Sequence, residues 1–267
     1  MNEMMRETVA ATATSTDTRP VREQVSAAEW QARVDLAACY RLVNHYGWDE
    51  MVANHISVCV PGEEGTFLLN PYGLLYDQMT ASCFVKVNAA GEVLFDATGL
   101  GCNKAGFVIH SAVHMARPDA ACVIHTHSLA GMAVSAMKVG LLPLTQSAMR
   151  FIDIGYHEFE GPAIHLEERE RLVANLGDRE VMILRNHGLL TVGTTMQEAF
   201  SYMFGLERAC QAQVAAMSCN TPLNTLPQHI VDKSAAMYAP GATRSYGKKE
   251  WPALLRMLDR QDMSWRE

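Results

Sequence analysis

Hydrophobic and polar positions follow two rhythms along this chain, and the change between them marks most of its elements. Trp30, Leu36, Ala37, Tyr40 and Val43 recur at helical spacing behind Ser26-Ala-Ala-Glu29, a capping-box signature. The pattern predicts a helix that stops near Gly47. Two extended runs follow, HISVCV (55–60) and TFLLN (66–70), split by the turn-forming PGEEG. CFVKV (83–87) and EVLF (92–95) flank NAAG and predict a hairpin. From Lys104 the period changes again: AGFVIHSAVHMA has no breaker after Gly106 and ends at Arg117-Pro118, where a helix should stop. ACVIHT (121–126) predicts a short buried strand, SLAGMAVSAM (128–137) a helix of small residues, AIHL another strand and EERERLVANLG a charged helix. EVMILR (180–185) is a further buried strand, followed by NHG and LLTVG. A second capping box, Thr195-Met-Gln-Glu198, opens a long helix to about Ser218. Beyond Cys219 the chain is proline-rich, with a last helix around Trp251 to Leu258.

Strands and helices mix without strict βαβ alternation, and several strand pairs have hairpin spacing. The fold class predicted is α/β: a three-layer α/β/α domain with a largely antiparallel central sheet. One domain over residues 26–218 is expected, with a mobile N-terminal arm at 1–25. An extension at 219–267 is expected to pack on the domain or on a neighbouring subunit.

Composition narrows the function classes. Apolar residues make up 49% and charged residues 19%, enough for a filled core in a soluble protein. The net charge of −7, with no Lys/Arg-rich run, argues against a nucleic-acid partner. No stretch approaches the 18 or so apolar residues of a membrane span. The first residues lack the apolar core of a secretory signal, and the seven cysteines are odd in number with no C-x-x-C pair. Both features predict a cytoplasmic protein with free thiols.

The chemistry gathers at histidines. His125 and His127 are two residues apart at the end of an apolar strand, so they project from one face and could converge on one ion. A third ligand must come from elsewhere, and His187 in Arg185-Asn186-His187-Gly188 follows the second apolar strand. Packed core or turn histidines explain either motif alone equally well. His110 and His114 form a rival pair, four apart on one helix face, but no acidic residue lies between them as H-E-x-x-H would need.

HTHSLAG, with RPDAACVIHTHS before it and ILRNHGLLTVG after, resembles the class II aldolase/adducin family. NHISVCVPG and NPYGLLYDQMTASCFVKV extend the likeness, which covers roughly residues 30–218. NKAGFVIHSAVHMARPD and AGMAVSAMKVGLLPL are closer to the adducin-type branch. The resemblance implies an α/β/α fold, a homotetramer with sites between subunits, and a divalent metal on His125, His127 and His187. Structural adducins lack a full ligand set, whereas this chain keeps all three histidines. The sugar-phosphate aldolases of the family carry Ser-Ser-Glu before the helix; here those positions are Lys104, Ala105 and Gly106. Their G-N-V-S phosphate turn reads Asn54-His55-Ile56-Ser57, and their proton-donating tyrosine falls near Ser147. A sugar-phosphate substrate is therefore not expected.

Together these readings predict a metal-dependent lyase of retro-aldol or decarboxylase type, acting on a small hydroxylated carbonyl or carboxylic acid, possibly aromatic. Zinc is the first expectation for the metal, with manganese, cobalt or iron open. His110, Tyr156 and His157 are the candidates for proton transfer, and Lys104, Arg150 and Asn54 for substrate binding. Two alternatives are an Fe(II) oxygenase on the same ligands and a non-catalytic adducin-like interaction module.

Overall fold

The computed structural model describes residues 8–9, 18–161, 166–238 and 246–267. The elements run β1 (Thr8–Val9), α1 (Val21–Gln24), α2 (Ala27–His45), β2 (His55–Cys59), β3 (Thr66–Leu69), β4 (Val85–Asn88), β5 (Val93–Phe95) and β6 (Cys102–Asn103). Then follow α3 (Lys104–Ala116), β7 (Cys122–Thr126), α4 (Leu129–Ser135), β8 (Gly155–His157), α5 (Leu166–Leu176) and β9 (Val181–Leu184). β10 (Gly188–Gly193), α6 (Met196–Ser218), α7 (Gln228–Ala236) and α8 (Glu250–Gln261) complete the chain.

Eight strands form one sheet in the order β5-β4-β3-β2-β7-β10-β9-β8. Every pairing in it is antiparallel except β8 on β9. The expected α/β class and largely antiparallel sheet are therefore what the chain forms.

Strand parity divides the core into two layers, because successive side chains leave opposite faces. Cys122, Ile124, Ile183 and Leu189 join the core under α2 and α6. Val123, Met182, Leu184, Leu190 and Val192 pack instead with Ile109 and Val113 of α3 and with Leu172 and Leu176 of α5. His125 lies between Ile124 and Thr126, whose hydroxyl meets Met203 of α6, so parity sends the His125 side chain to the α3/α5 face.

Both capping signatures open helices, but in each only one of the two expected bonds forms. The Ser26 hydroxyl accepts the Glu29 N–H at 3.1 Å. The Glu29 carboxylate turns away from the cap, to Arg33 Nε and Lys86 Nζ, both at 2.9 Å. Arg33 is fully buried and also donates to the Phe84 carbonyl at 2.9 Å. A buried Arg33 guanidinium left without a counter-charge would cost more than the missing half of an exposed cap, so Glu29 serves Arg33, and its bond to Lys86 ties α2 to β4.

The described parts of the extension after residue 218 contact the same chain. Trp265 is 1% exposed, and the Ala81 and Ser82 amides donate to the carbonyls of Trp265 and Glu267. Trp251 of α8 donates to Asp35 at 3.2 Å. Not expected from the pattern are β6, the edge strand β8, three residues long, and α7. Of the expected arm, Thr8–Val9 pairs with Cys102–Asn103 and Val21–Gln24 is helical, while residues 1–7 and 10–17 lie outside the described residues. The expected AIHL strand falls largely there too, and its Leu166 begins α5.

Replacing Glu29 by Ala would strand the buried Arg33 guanidinium. Urea unfolding should show a loss of about 3–5 kcal/mol, whereas substitution of the half-exposed Glu63 on the same lysine should cost under about 1 kcal/mol.

Candidate metal centre

Three separate segments deliver three imidazoles to one point. His125 is in β7, His127 follows its last residue, and His187 closes the turn between β9 and β10. Asn186 takes the left-handed conformation (φ 53°) that turns the chain, and the His187 amide donates to the Leu184 carbonyl at 3.1 Å. A side chain on Gly188 would place Cβ 2.3 Å from the Thr126 carbonyl. Only glycine lets the two ligand-bearing segments approach this closely. The far side is held by α4 and α6. The Ser135 hydroxyl accepts the His187 amide at 3.1 Å, and the Ser128 hydroxyl donates to the buried Glu207 carboxylate.

The three rings form a near-equilateral triangle, with centroids 4.7–4.8 Å apart. One ligand atom from each lies within 4.8 Å of the others. Their neighbours fix two tautomers. The His125 Nδ1 sits 2.9 Å from the Leu189 carbonyl, which can only accept, so Nδ1 carries the proton. The His127 Nδ1 sits 2.5 Å from the Glu50 carboxylate and donates to it. With both rings neutral, as ligands must be, the two Nε2 atoms are left with lone pairs, and they face each other at 3.0 Å. Two lone pairs at that distance repel unless a cation lies against both, and a divalent metal held at about 2.0–2.1 Å from each nitrogen meets that need. Glu50 and the Leu189 carbonyl supply the outer partners that metal-binding histidines characteristically have.

Burial and mutual repulsion keep His125 and His187 uncharged. Burial, then the neighbouring His187 and His127, push His125 well below its ordinary value. His187 is lowered to about 4, first by burial and then by His127. Neutral imidazole is the ligating form.

The other expected site residues divide. His110 of α3 is 1% exposed and its Nδ1 lies 2.7 Å from the Ser57 hydroxyl. Asn54 is left-handed (φ 71°), buried, and has no partner for either amide atom. The structure brings both near the ligand face, since Asn54 precedes His55, which is registered opposite His125. Tyr156 is committed locally: its hydroxyl accepts the Leu141 amide at 3.0 Å and its ring lies under Arg185. His157 is 4% exposed, takes the Asn175 side-chain N–H at 2.9 Å on Nδ1, and pairs its Nε2 with Glu168 at 3.4 Å. Arg150 is not gathered with the histidines. It stacks between Tyr202 (4.2 Å) and Tyr246 (3.6 Å), donates to the Ser201 carbonyl, and lines a separate cavity with Asp153, Asp178 and Glu180. Lys104 begins α3, and its side chain lies outside the described residues.

Two participants escaped sequence reasoning. Glu50 is 77 residues from His127, in a loop with no motif of its own. In sequence His55 reads as the start of a strand and as a phosphate-turn position, not as part of this site; its register opposite His125 follows from β2 pairing with β7, a non-consecutive neighbour.

Buried neutral histidines make stability depend on pH. His114 is lowered from 6.5 to about 4 and His55 to about 3, both chiefly by burial. The unfolded chain binds more protons below 6.5, so their contribution is complete above 6.5 and is lost as pH falls from there through about 4 and then 3. Urea midpoints measured between pH 7.5 and 4.5 should fall steadily, and His114→Asn should flatten that slope.

A family model described as the Class II Aldolase and Adducin N-terminal domain matches residues 34–214. A Pseudomonas aeruginosa protein named as an aldolase class 2 protein is 50% identical over 252 residues, covering 92% of this chain and 96% of its own. Mouse alpha-adducin is 44% identical over 240 residues, covering 85% of this chain but 33% of its own. Among solved structures, an aldolase II superfamily protein from Pseudomonas syringae superposes with a TM-score of 0.89 at 46% identity. That match covers 92% of this chain and 99% of the other. By sequence and by fold, the chain belongs to the class II aldolase/adducin family.

Proposed function

We propose that the protein is a metal-dependent lyase that breaks a carbon–carbon bond, by retro-aldol cleavage or decarboxylation. Its substrate is a small hydroxylated carbonyl or carboxylic acid, aromatic acids included, and not a sugar phosphate. The observation that carries this reading is the pair of imidazole lone pairs facing each other at 3.0 Å, with His187 completing the triangle. His125, His127 and His187 would hold a divalent ion, zinc first and manganese, cobalt or iron by the same ligand chemistry. Such an ion supplies Lewis acidity to the charge that develops beside a carbonyl when the bond breaks.

The chain's own residues do the rest. Leu189 and Glu50 hold two rings in the ligating tautomer. The exposed Phe159 ring lies 6.3 Å from that of His187, and the exposed Met51 and Leu129 follow Glu50 and His127 closely in the chain. Exposed apolar side chains there would suit a hydrocarbon or aromatic group better than a phosphate. His110 is assigned proton transfer, and Asn54 contact with the substrate. His157 lines the cleft beside His187 and is assigned to shaping that wall, while Tyr156, packed against the opposite core, is assigned to holding the Leu141 loop. Arg150 would reach substrate only as the residue of a neighbouring copy in a homotetramer. The adducin likeness supports a second reading, an interaction module without chemistry.

The test is turnover. Protein loaded with zinc, manganese, cobalt or iron is incubated with a panel of hydroxy ketones, hydroxy acids and ortho-hydroxybenzoates, and aldehyde or carbon dioxide release is followed. A lyase releases one of these products without consuming oxygen, and His110→Ala lowers kcat by about 10²–10⁴-fold while metal content is kept. Oxygen uptake with iron alone would establish an oxygenase. No turnover by any fully loaded form would favour the interaction module.

A further inference from the structure

The sheet face that carries His55 and His125 also carries Ser57, two residues along β2. Helix α3 lays His110 and His114 over it. The approach is close: a Cβ on Gly106 would lie 2.3 Å from the His55 ring, so α3 reaches this distance only with glycine there.

The hydrogen bonds beneath α3 have one consistent direction. The His114 Nδ1 is 2.7 Å from the Ala120 carbonyl, an obligate acceptor, so that nitrogen bears the proton; the Cys59 sulfur at 3.2 Å sits beside the same bond. The His114 Nε2 is then a lone pair, and it accepts the Ser57 O–H at 2.7 Å. With its one proton committed, the Ser57 oxygen can only accept from His110 Nδ1, also at 2.7 Å. His110 is thus the Nδ1–H tautomer, and its Nε2 is a bare acceptor.

That nitrogen is buried and has no partner. The same holds for His55 Nε2 and for both amide atoms of Asn54. The His55 and His110 rings are 5.9 Å apart, edge to face. Nearly all buried polar atoms in folded proteins are paired, so unpaired ones on two adjoining imidazoles, and on Asn54 next in the chain to one of them, call for a ligand. An anion would set its charge against a lone pair, whereas a hydroxyl would satisfy it. Burial and the adjacent His55 and His114 hold His110 uncharged, consistent with an acceptor role.

We propose that Ser57 and His114 are positioning residues: the one-way chain from Ala120 through His114 and Ser57 locks His110 as the Nδ1–H tautomer, and its Nε2, with Asn54 and His55, receives a hydroxyl of the substrate. What His110 then does to that hydroxyl rests on the lyase reading, but the tautomer does not.

Zinc-loaded protein labelled with ¹⁵N in its histidine rings tests this directly, with the His110 signals assigned by their loss in His110→Leu. The expected spectrum shows a protonated Nδ1 and an unprotonated Nε2 for His110. Ser57→Ala should move the proton toward Nε2 and lower kcat with KM little changed, and Ser57→Thr should restore both. A proton on Nε2 in the wild type would overturn the proposal, as would a Ser57→Ala spectrum identical to wild type. Should Ser57→Ala fail to fold, the wild-type spectrum decides alone. The expected tautomer combined with full turnover in His110→Ala would leave the relay standing and remove His110 from the proposed chemistry.

Discussion

The structure is organised around two nitrogen lone pairs that have nowhere to go. His125 and His127 each commit their Nδ1 proton outward, one to a backbone carbonyl of the next strand and the other to Glu50. Their Nε2 atoms are left face to face at 3.0 Å. Nothing in the hydrophobic core requires that confrontation, which is unfavourable by itself. A divalent cation accepting both nitrogens would make it favourable, and the backbone around them maintains it. Gly188 permits the approach, Asn186 turns His187 in as the third corner, and Glu207 and Ser135 brace the loops from behind.

Strand parity determines what surrounds that point. His125 belongs to the face covered by α3 and α5, and its cross-strand partner His55 and next-but-one neighbour Ser57 belong to it as well. Behind the candidate metal centre that face therefore carries a line of imidazoles and one hydroxyl, set beside the aliphatic cluster under α3 and α5. The opposite face, under α2 and α6, holds the larger apolar cluster.

Much of this was legible in the sequence because it is periodic or local. The strands around HTH and NHG, the glycine after His187 and the two capped helices all announce themselves within ten residues. The rest depends on pairings that no local pattern encodes. Glu29 left its cap because Arg33 and Lys86 offered it a buried ion pair across α2 and β4. Glu50 and His55 joined the site only through folding, the first across a loop and the second through the register of β2 on β7. Arg150 went the other way: it was expected to bind substrate, but two tyrosines from α6 and the C-terminal extension enclose it in a separate pocket. β8 was missed because three residues are too few to show alternation.

The central claim is that three histidines hold one divalent ion, and its most direct measurement is elemental analysis of untagged protein prepared without chelator, beside His127→Ala. One equivalent of a single divalent metal per wild-type chain, lost in a variant that remains folded, is the expected result. A wild-type protein that takes up no metal even after reconstitution, or a His127→Ala variant that keeps its full equivalent, would contradict it.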